Sequence, residues 1–265
     1  MWWRGNLKFR VGDGKIHHIR MYPTAPIPER DVCRVAITQI SLRGILSWIA
    51  WQTQFRYLER ARTICLVNAY SVVEANRNPR HMEALKNADG CLADGLGVAL
   101  LAKTPKIAGA DLMLAAARHP ELGKMRHVLL CGFGVAFKAA IRQFEEAKAQ
   151  KICALREPRI PETLTDGDLL EWANSVPCDI LWIALGCPKQ EIWMQENRHR
   201  LKAKVVIAVG AAFDFLAGRI PRAPGWMQGI GLEAFYRIWA EPTRWRRQAG
   251  AMLGFLRLLA TYRNR

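Results

Sequence analysis

Asp179-Ile-Leu-Trp-Ile-Ala-Leu-Gly-Cys-Pro-Lys-Gln-Glu191 decides the architecture. Its first half is a short apolar run, the pattern of a strand buried on both faces. A glycine turn ends the run, and Pro188 opens a helical pattern that extends to Leu201. The same unit recurs on either side. Strands are expected at Thr63–Val67, Gly90–Ala93, His127–Cys131, Lys151–Leu155, Asp179–Ala184 and Val205–Val209, with another helical pattern at Val135–Ala149. This βαβα rhythm predicts an α/β fold, a mostly parallel sheet with helices on both faces. Such sheets bind ligands at the carboxyl ends of their strands.

The flanks differ from this body. Residues 7–22 read as a hairpin turning at Gly12-Asp13-Gly14, and a Pro-rich stretch, Pro23–Pro28, follows. Residues 219–265 hold nine Arg against two acids and carry Trp226, Trp239, Trp245 and Phe255. The expected division is therefore a hairpin extension at 1–31, an α/β domain at 32–218 and a basic, aromatic helical appendage at 219–265. Two readings of the appendage stand together: a helix on an anionic membrane surface, and a helical pair packed on the core.

Composition sets the outer bounds. In 265 residues, 51% are apolar and 23% charged, enough to bury a core. The net charge of +16 predicts a polyanionic partner: nucleic acid, an anionic membrane face or phosphorylated substrates. No apolar run reaches the roughly 18–20 residues of a membrane span, and no secretory leader is expected. Seven scattered cysteines without a CxxC pair predict a reduced compartment and neither disulfide scaffold nor metal cage.

Several segments carry polar chemistry. Gly132-Phe133-Gly134 opens like a dinucleotide loop, but the third glycine would fall at Phe137, so a tight strand-to-helix turn accounts for it. Asp166-Gly167-Asp168 has the form of a metal-binding acid pair, yet it follows no apolar strand; Thr165 capping a helix with acids in its first turn explains it. The histidines have no metal-ligand spacing. Val67-Asn68-Ala69 delivers an amide at a strand end. Asp94, in Ala93-Asp-Gly-Leu-Gly97, stands where an apolar strand meets a glycine turn, a position suited to a general base or, more blandly, to capping helix Leu96–Lys103. Pro188, Lys189 and Gln190 offer amide donors and a cation at a helix start. Arg237, Arg244 and Arg247 are spaced to gather near one helix face, with Pro242 interrupting. Guanidinium forks of this kind suit diphosphate.

Val67-Asn-Ala, Ala93-Asp-Gly-Leu-Gly-Val98, Ile107-Ala-Gly-Ala-Asp-Leu112, Leu185-Gly-Cys-Pro-Lys-Gln-Glu191, Val209-Gly-Ala-Ala-Phe-Asp214, Arg222-Ala-Pro-Gly-Trp226 and Gly231-Leu-Glu-Ala-Phe-Tyr-Arg237 follow in order. In this the chain resembles the WecG/TagA/CpsF family of bacterial glycosyltransferases across about residues 32–250. The resemblance implies a Rossmann-like domain with a C-terminal appendage that helps close the active site. It implies an inverting transferase moving a hexosyl unit, N-acetylmannosamine-type or glucose, from a UDP-sugar to a polyprenyl-diphosphate-linked saccharide in surface polysaccharide or exopolysaccharide assembly. By the same resemblance Asp94 is the general base, and Arg237, Arg244 and Arg247 hold diphosphate. The expected substrate-binding set is Asn68, Gly95, Lys106, Asp111, Gly132, Gly186, Lys189, Gln190 and Asp214. Two positions depart from the family pattern: Leu66 replaces a frequent threonine, and Lys106 a frequent arginine. No cofactor and no metal are expected beyond the UDP-sugar donor. The expected partners are that donor, the lipid-linked acceptor and an anionic membrane surface, at the cytoplasmic face of the inner membrane as a peripheral protein; homo-oligomerisation is left open and nucleic acid is not expected. The rival classes are a basic nucleic-acid-binding protein and a non-catalytic nucleotide-binding scaffold of export machinery.

Overall fold

The computed structural model of the chain describes residues 6–7, 11–12, 15–16, 21–22, 27–54, 59–131, 134–147, 151–153, 166–219 and 245–263. At the N-terminus β1 (Asn6–Leu7) pairs antiparallel with β4 (Met21–Tyr22), enclosing β2 (Val11–Gly12) paired with β3 (Lys15–Ile16). The hairpin expected over residues 7–22 is thus present as two nested pairs. A second hairpin, β5 (Glu29–Val32) with β6 (Val35–Thr38), has no signal in the sequence pattern. Its turn is Cys33-Arg34, at φ 52° and 73°, where a hairpin of this type favours Gly or Asn. β5 runs across residue 31, and Thr38 Oγ1 accepts from Cys91 N at 2.9 Å, tying the hairpin to the main sheet. α1 (Leu42–Gln52) follows, capped by Ser41 Oγ.

The main sheet comprises β7 (Arg62–Val67), β8 (Gly90–Ala93), β9 (Arg126–Cys131), β10 (Lys151–Cys153), β11 (Ile180–Ala184) and β12 (Val205–Ala208), in the order β10-β9-β11-β12-β7-β8. Every pairing is parallel. The expected strands match within a residue or so; residues 154–155 lie outside the described set. Around the sheet lie α2 (Ala69–Arg77), α3 (Pro79–Lys86), α4 (Leu96–Ala102), α5 (Gly109–Arg118), α6 (Gly134–Glu146), α7 (Asp166–Ala173), α8 (Lys189–Asn197), α9 (Ala212–Leu216) and α10 (Trp245–Arg263). This is a Rossmann-like α/β fold.

Period-two alternation along the strands feeds two separate cores. Cys65, Val67, Ala93, Leu130, Leu181, Ile183 and Val206 face one way, against Val72 and Val73 of α2, Met82 of α3, Val98 of α4, Trp193 of α8 and Phe255 of α10. Ile64, Leu66, Leu92, Leu129, Ile180, Trp182 and Ile207 face the other way, against Ile45 and Ile49 of α1, Met113 of α5, Phe144 of α6 and Phe213 of α9. Trp182 is fully buried, and its Nε1 donates to His127 Nδ1 at 3.1 Å. His127 Nε2 in turn donates to Leu122 O at 2.8 Å, so both ring nitrogens are satisfied without charge. Burial of this continuous apolar surface is the main favourable term, at roughly 25 cal/mol per Å².

Gly254 brings α10 close to α2: a Cβ there would stand 3.0 Å from Val73 Cγ1. Ala251 and Phe255 are buried in that contact, and Leu258, Leu259 and Tyr262 pack beside them. The packed-helix reading of the appendage therefore holds for this segment. Its other side leaves Leu253 and Leu256 more than half exposed, with Arg257 also exposed. No helix among the described residues is long and apolar enough to cross a membrane.

Candidate active site

At the N-terminal edge of the sheet, charges are closed off in pairs. Asp89 receives Arg60 Nη1 at 2.6 Å, Arg62 Nη1 at 3.2 Å and Thr63 N at 2.9 Å. Asp179 receives Arg126 N at 3.0 Å and Nε at 2.9 Å, with Lys204 Nζ 3.2 Å away. Burial would raise the Asp179 carboxyl, but these donors overcome it and hold the group down at about 2.

The C-terminal edge is built otherwise. β7 ends in Asn68, whose Oδ1 caps α2 by accepting from Ser71 N at 3.1 Å and from Ser71 Oγ at 3.3 Å. Next to it β8 ends in Asp94, whose N–H donates to Val67 O at 2.8 Å. Gly95 follows at φ +145°, and a Cβ there would lie 3.6 Å from Asn68 Cβ. The two strand ends are therefore in contact. Gly95, not Asp94, occupies the N-cap of α4. Asn68, Asp94, Lys106 and Asp111 are all half-buried, as polar groups lining a cleft would be.

The segment carrying Lys106 returns to this edge, because Ile107 N donates to Ala93 O at 2.8 Å. It leads into α5, whose first residue, Gly109, leaves no room for a side chain: a Cβ would meet Leu66 Cδ1 at 2.8 Å and Val209 O at 3.0 Å. Leu66 thus packs into the start of α5.

After β11, Gly186 at φ +84° turns the chain through a cis Cys187–Pro188 peptide into α8. Pro188 is the N-cap, and Lys189 is exposed in the first turn. Gln190 is buried: its Oε1 accepts from Gly186 N at 3.2 Å and its Nε2 donates to Glu191 Oε1 at 2.8 Å. Gly210, beyond β12, lies against it: a Cβ there would stand 3.7 Å from Gln190 Nε2. Asp214 in α9 faces Arg219 at 3.5 Å. Gly132, Arg237 and Arg244 lie outside the described residues. Arg247 is on α10, with nothing described of its side chain.

Behind these groups runs a contact that sequence spacing does not disclose. The Cys187 thiol donates toward Ser71 Oγ at 3.7 Å and lies 3.8 Å from His81 Nε2. His81 Nε2 is 4.0 Å from Glu191 Oε2. Burial lowers the His81 pKa to about 4 and raises that of Glu191 to about 7. A surface concavity lined by Arg118, His119, Lys124 and Glu146 lies apart and holds none of the expected site residues.

An amide, a carboxylate and positive-φ glycines thus meet at the carboxyl ends of the strands of a Rossmann-like α/β fold, the edge at which such folds bind ligands. Residues 30–265 match the glycosyl transferase WecG/TagA/CpsF family, and the chain belongs to that family. It is 30% identical over 203 residues to the N-acetylglucosaminyldiphosphoundecaprenol N-acetyl-beta-D-mannosaminyltransferase of Bacillus spizizenii (strain ATCC 23059 / NRRL B-14472 / W23), covering 72% of this chain and 77% of that protein. It is 27% identical over 191 residues to the Bacillus subtilis (strain 168) protein of the same name, covering 69% and 73% respectively.

Proposed function

We propose that the protein is an inverting hexosyltransferase that takes its sugar from a UDP-sugar and passes it to a polyprenyl-diphosphate-linked saccharide in surface polysaccharide or exopolysaccharide assembly. Family membership supports glycosyl transfer, and the relatives' names favour an N-acetylmannosamine donor over glucose. The observation that carries the reading is the meeting of Asp94 and Asn68 at one strand edge, joined by the Val67 carbonyl and the Gly95 contact.

In this reading Asp94 takes the proton of the incoming acceptor hydroxyl as it attacks the anomeric carbon from the face opposite UDP. Asn68, its orientation fixed by Ser71, positions the sugar. Lys106 and Lys189 contribute positive charge toward phosphate, and Arg237, Arg244 and Arg247 neutralise the departing UDP. No catalytic metal is called for. The exposed Leu253, Leu256 and Arg257 of α10, together with the net charge of +16, support peripheral docking on the anionic cytoplasmic leaflet, where a lipid-linked acceptor resides.

The test is incubation with a panel of UDP-sugars and a polyprenyl-diphosphate-linked N-acetylglucosamine in vesicles, following UDP release and lipid-linked product. Consumption of the N-acetylmannosamine donor is expected. UDP-glucose turnover would move the donor assignment. Binding of UDP without transfer would favour the scaffold, and steep salt-dependent DNA affinity without UDP binding would favour the nucleic-acid rival.

A further inference from the structure

One group of side chains, two of them buried and Cys187 half-buried, has no part in the transfer chemistry. His81 comes from α3, Cys187 from the turn after β11, and Glu191 from α8. Their ligand atoms all lie within 4.8 Å of one another, with His81 Nε2 at 3.8 Å from Cys187 Sγ and 4.0 Å from Glu191 Oε2. His81 is fully buried and Glu191 is 1% exposed. One atom facing the group, Glu191 Oε2, has no hydrogen-bond partner among the described residues. Buried polar atoms are nearly always satisfied, and each exception calls for a physical reason. The unpartnered carboxylate oxygen is the one that faces the imidazole.

We propose that His81, Cys187 and Glu191 form a binding site for a single zinc-class transition-metal ion. Imidazole, thiolate and carboxylate are the three donor types that zinc accepts, at about 2.0–2.3 Å. A tetrahedral arrangement at those lengths sets ligand atoms about 3.3–3.6 Å apart, so ion uptake draws the three groups, now within 4.8 Å, closer: His81 moves about 0.3 Å toward Cys187 and about 0.6 Å toward Glu191. Magnesium and calcium, which take six or more oxygen ligands, do not suit this donor set. The imidazole is held neutral by burial and offers Nε2 when its proton sits on Nδ1. Uptake of the ion releases the Cys187 thiol proton, and the Glu191 proton where present, to solvent. Ser71 Oγ, 3.7 Å from the thiol, or a water molecule completes the fourth position. The bound ion ties α3, the turn after β11 and α8 together behind Asn68, through Ser71.

Cobalt(II) is the direct probe. Chelator-stripped, dialysed protein should take up one equivalent, with a thiolate-to-cobalt charge-transfer band and tetrahedral d–d bands that zinc abolishes. Cys187→Ser should lose the charge-transfer band, His81→Ala should weaken binding by more than roughly tenfold, and Asp94→Asn should bind as the wild type does. In the unsubstituted protein, zinc should also protect the Cys187 peptide from alkylation by iodoacetamide, a readout independent of how the variants fold. Folded wild type that takes up no cobalt, a thiolate band that persists in Cys187→Ser, or Cys187 alkylation indifferent to zinc would each overturn the proposal. None of these readouts involves turnover, so their failure and a failure of sugar transfer are separable.

Discussion

Two aspartates bracket the four-residue strand β8, Asp89 before it and Asp94 after it, and their surroundings differ in kind. Asp89 is gripped by two arginines and a backbone N–H, and its carboxyl is held below the usual range: burial opposes ionisation, and Arg60, Thr63 and Arg62 outweigh it. Asp94 is held by its backbone to β7, beside a glycine in a conformation that L side chains rarely adopt. The N-terminal edge repeats this pairing at Asp179, with Arg126 and Lys204, whereas the C-terminal edge carries the positive-φ glycines Gly95, Gly186 and Gly210. One edge is closed by ion pairs, and the other is where the proposed transfer chemistry falls.

The strongest attack on this contrast is Asp94→Asn, which keeps shape and removes basicity. Transfer should fall by roughly two to four orders of magnitude with the melting temperature unchanged; a variant turning over at the wild-type rate would end the general-base assignment.

Asp179→Asn should do the reverse. With the carboxyl at about 2 against an ordinary 3.8, loss of its charge should cost about 2 kcal/mol at neutral pH and leave turnover of the folded fraction intact. Because the folded value is depressed, this contribution is present above about pH 4 and disappears as pH falls toward 2. Wild-type urea midpoints should therefore decline across that window, and the variant's should decline less. Equal slopes would show that Asp179 does not stabilise the edge.

Gly95→Ala sharpens the comparison from the other side. At φ +145° a side chain is strained whatever the space, so roughly 1–2 kcal/mol of stability should go, together with activity, since Asn68 lies against the same atom. Denaturation together with a UDP-binding isotherm would reveal either loss. The smallest effect is expected at Arg80, whose exposed ion pair with Glu196 belongs to neither edge. Arg80→Ala should move stability by less than about 0.5 kcal/mol, and a larger loss would mean surface pairs matter here as much as edge pairs.

The strands were legible because a doubly covered parallel sheet writes itself as short apolar runs; Ile180–Ala184 and Val205–Ala208 admit little else. The edge residues were legible because such runs end at glycine and a polar group. What stayed hidden depends on tertiary approach. Cys33-Arg34 turns a hairpin without the usual turn residues. Gln190 reads as a first-turn donor, yet its amide is folded back onto Gly186 and Glu191. His81 has no ligand spacing with any other residue, since Cys187 and Glu191 reach it only when α3 packs on α8.

The order of the strands also governs how the molecule is made. Arg62 pairs with Val205, so the first and last strands of the main sheet lie side by side in its interior. During synthesis β7 emerges long before β12, and until then one of its edges has no hydrogen-bonding neighbour. Pairings this distant in sequence are slow to form and leave aggregation-prone edges open meanwhile. The ladder between β7 and β12 can therefore close only once the last strand of the sheet has been made.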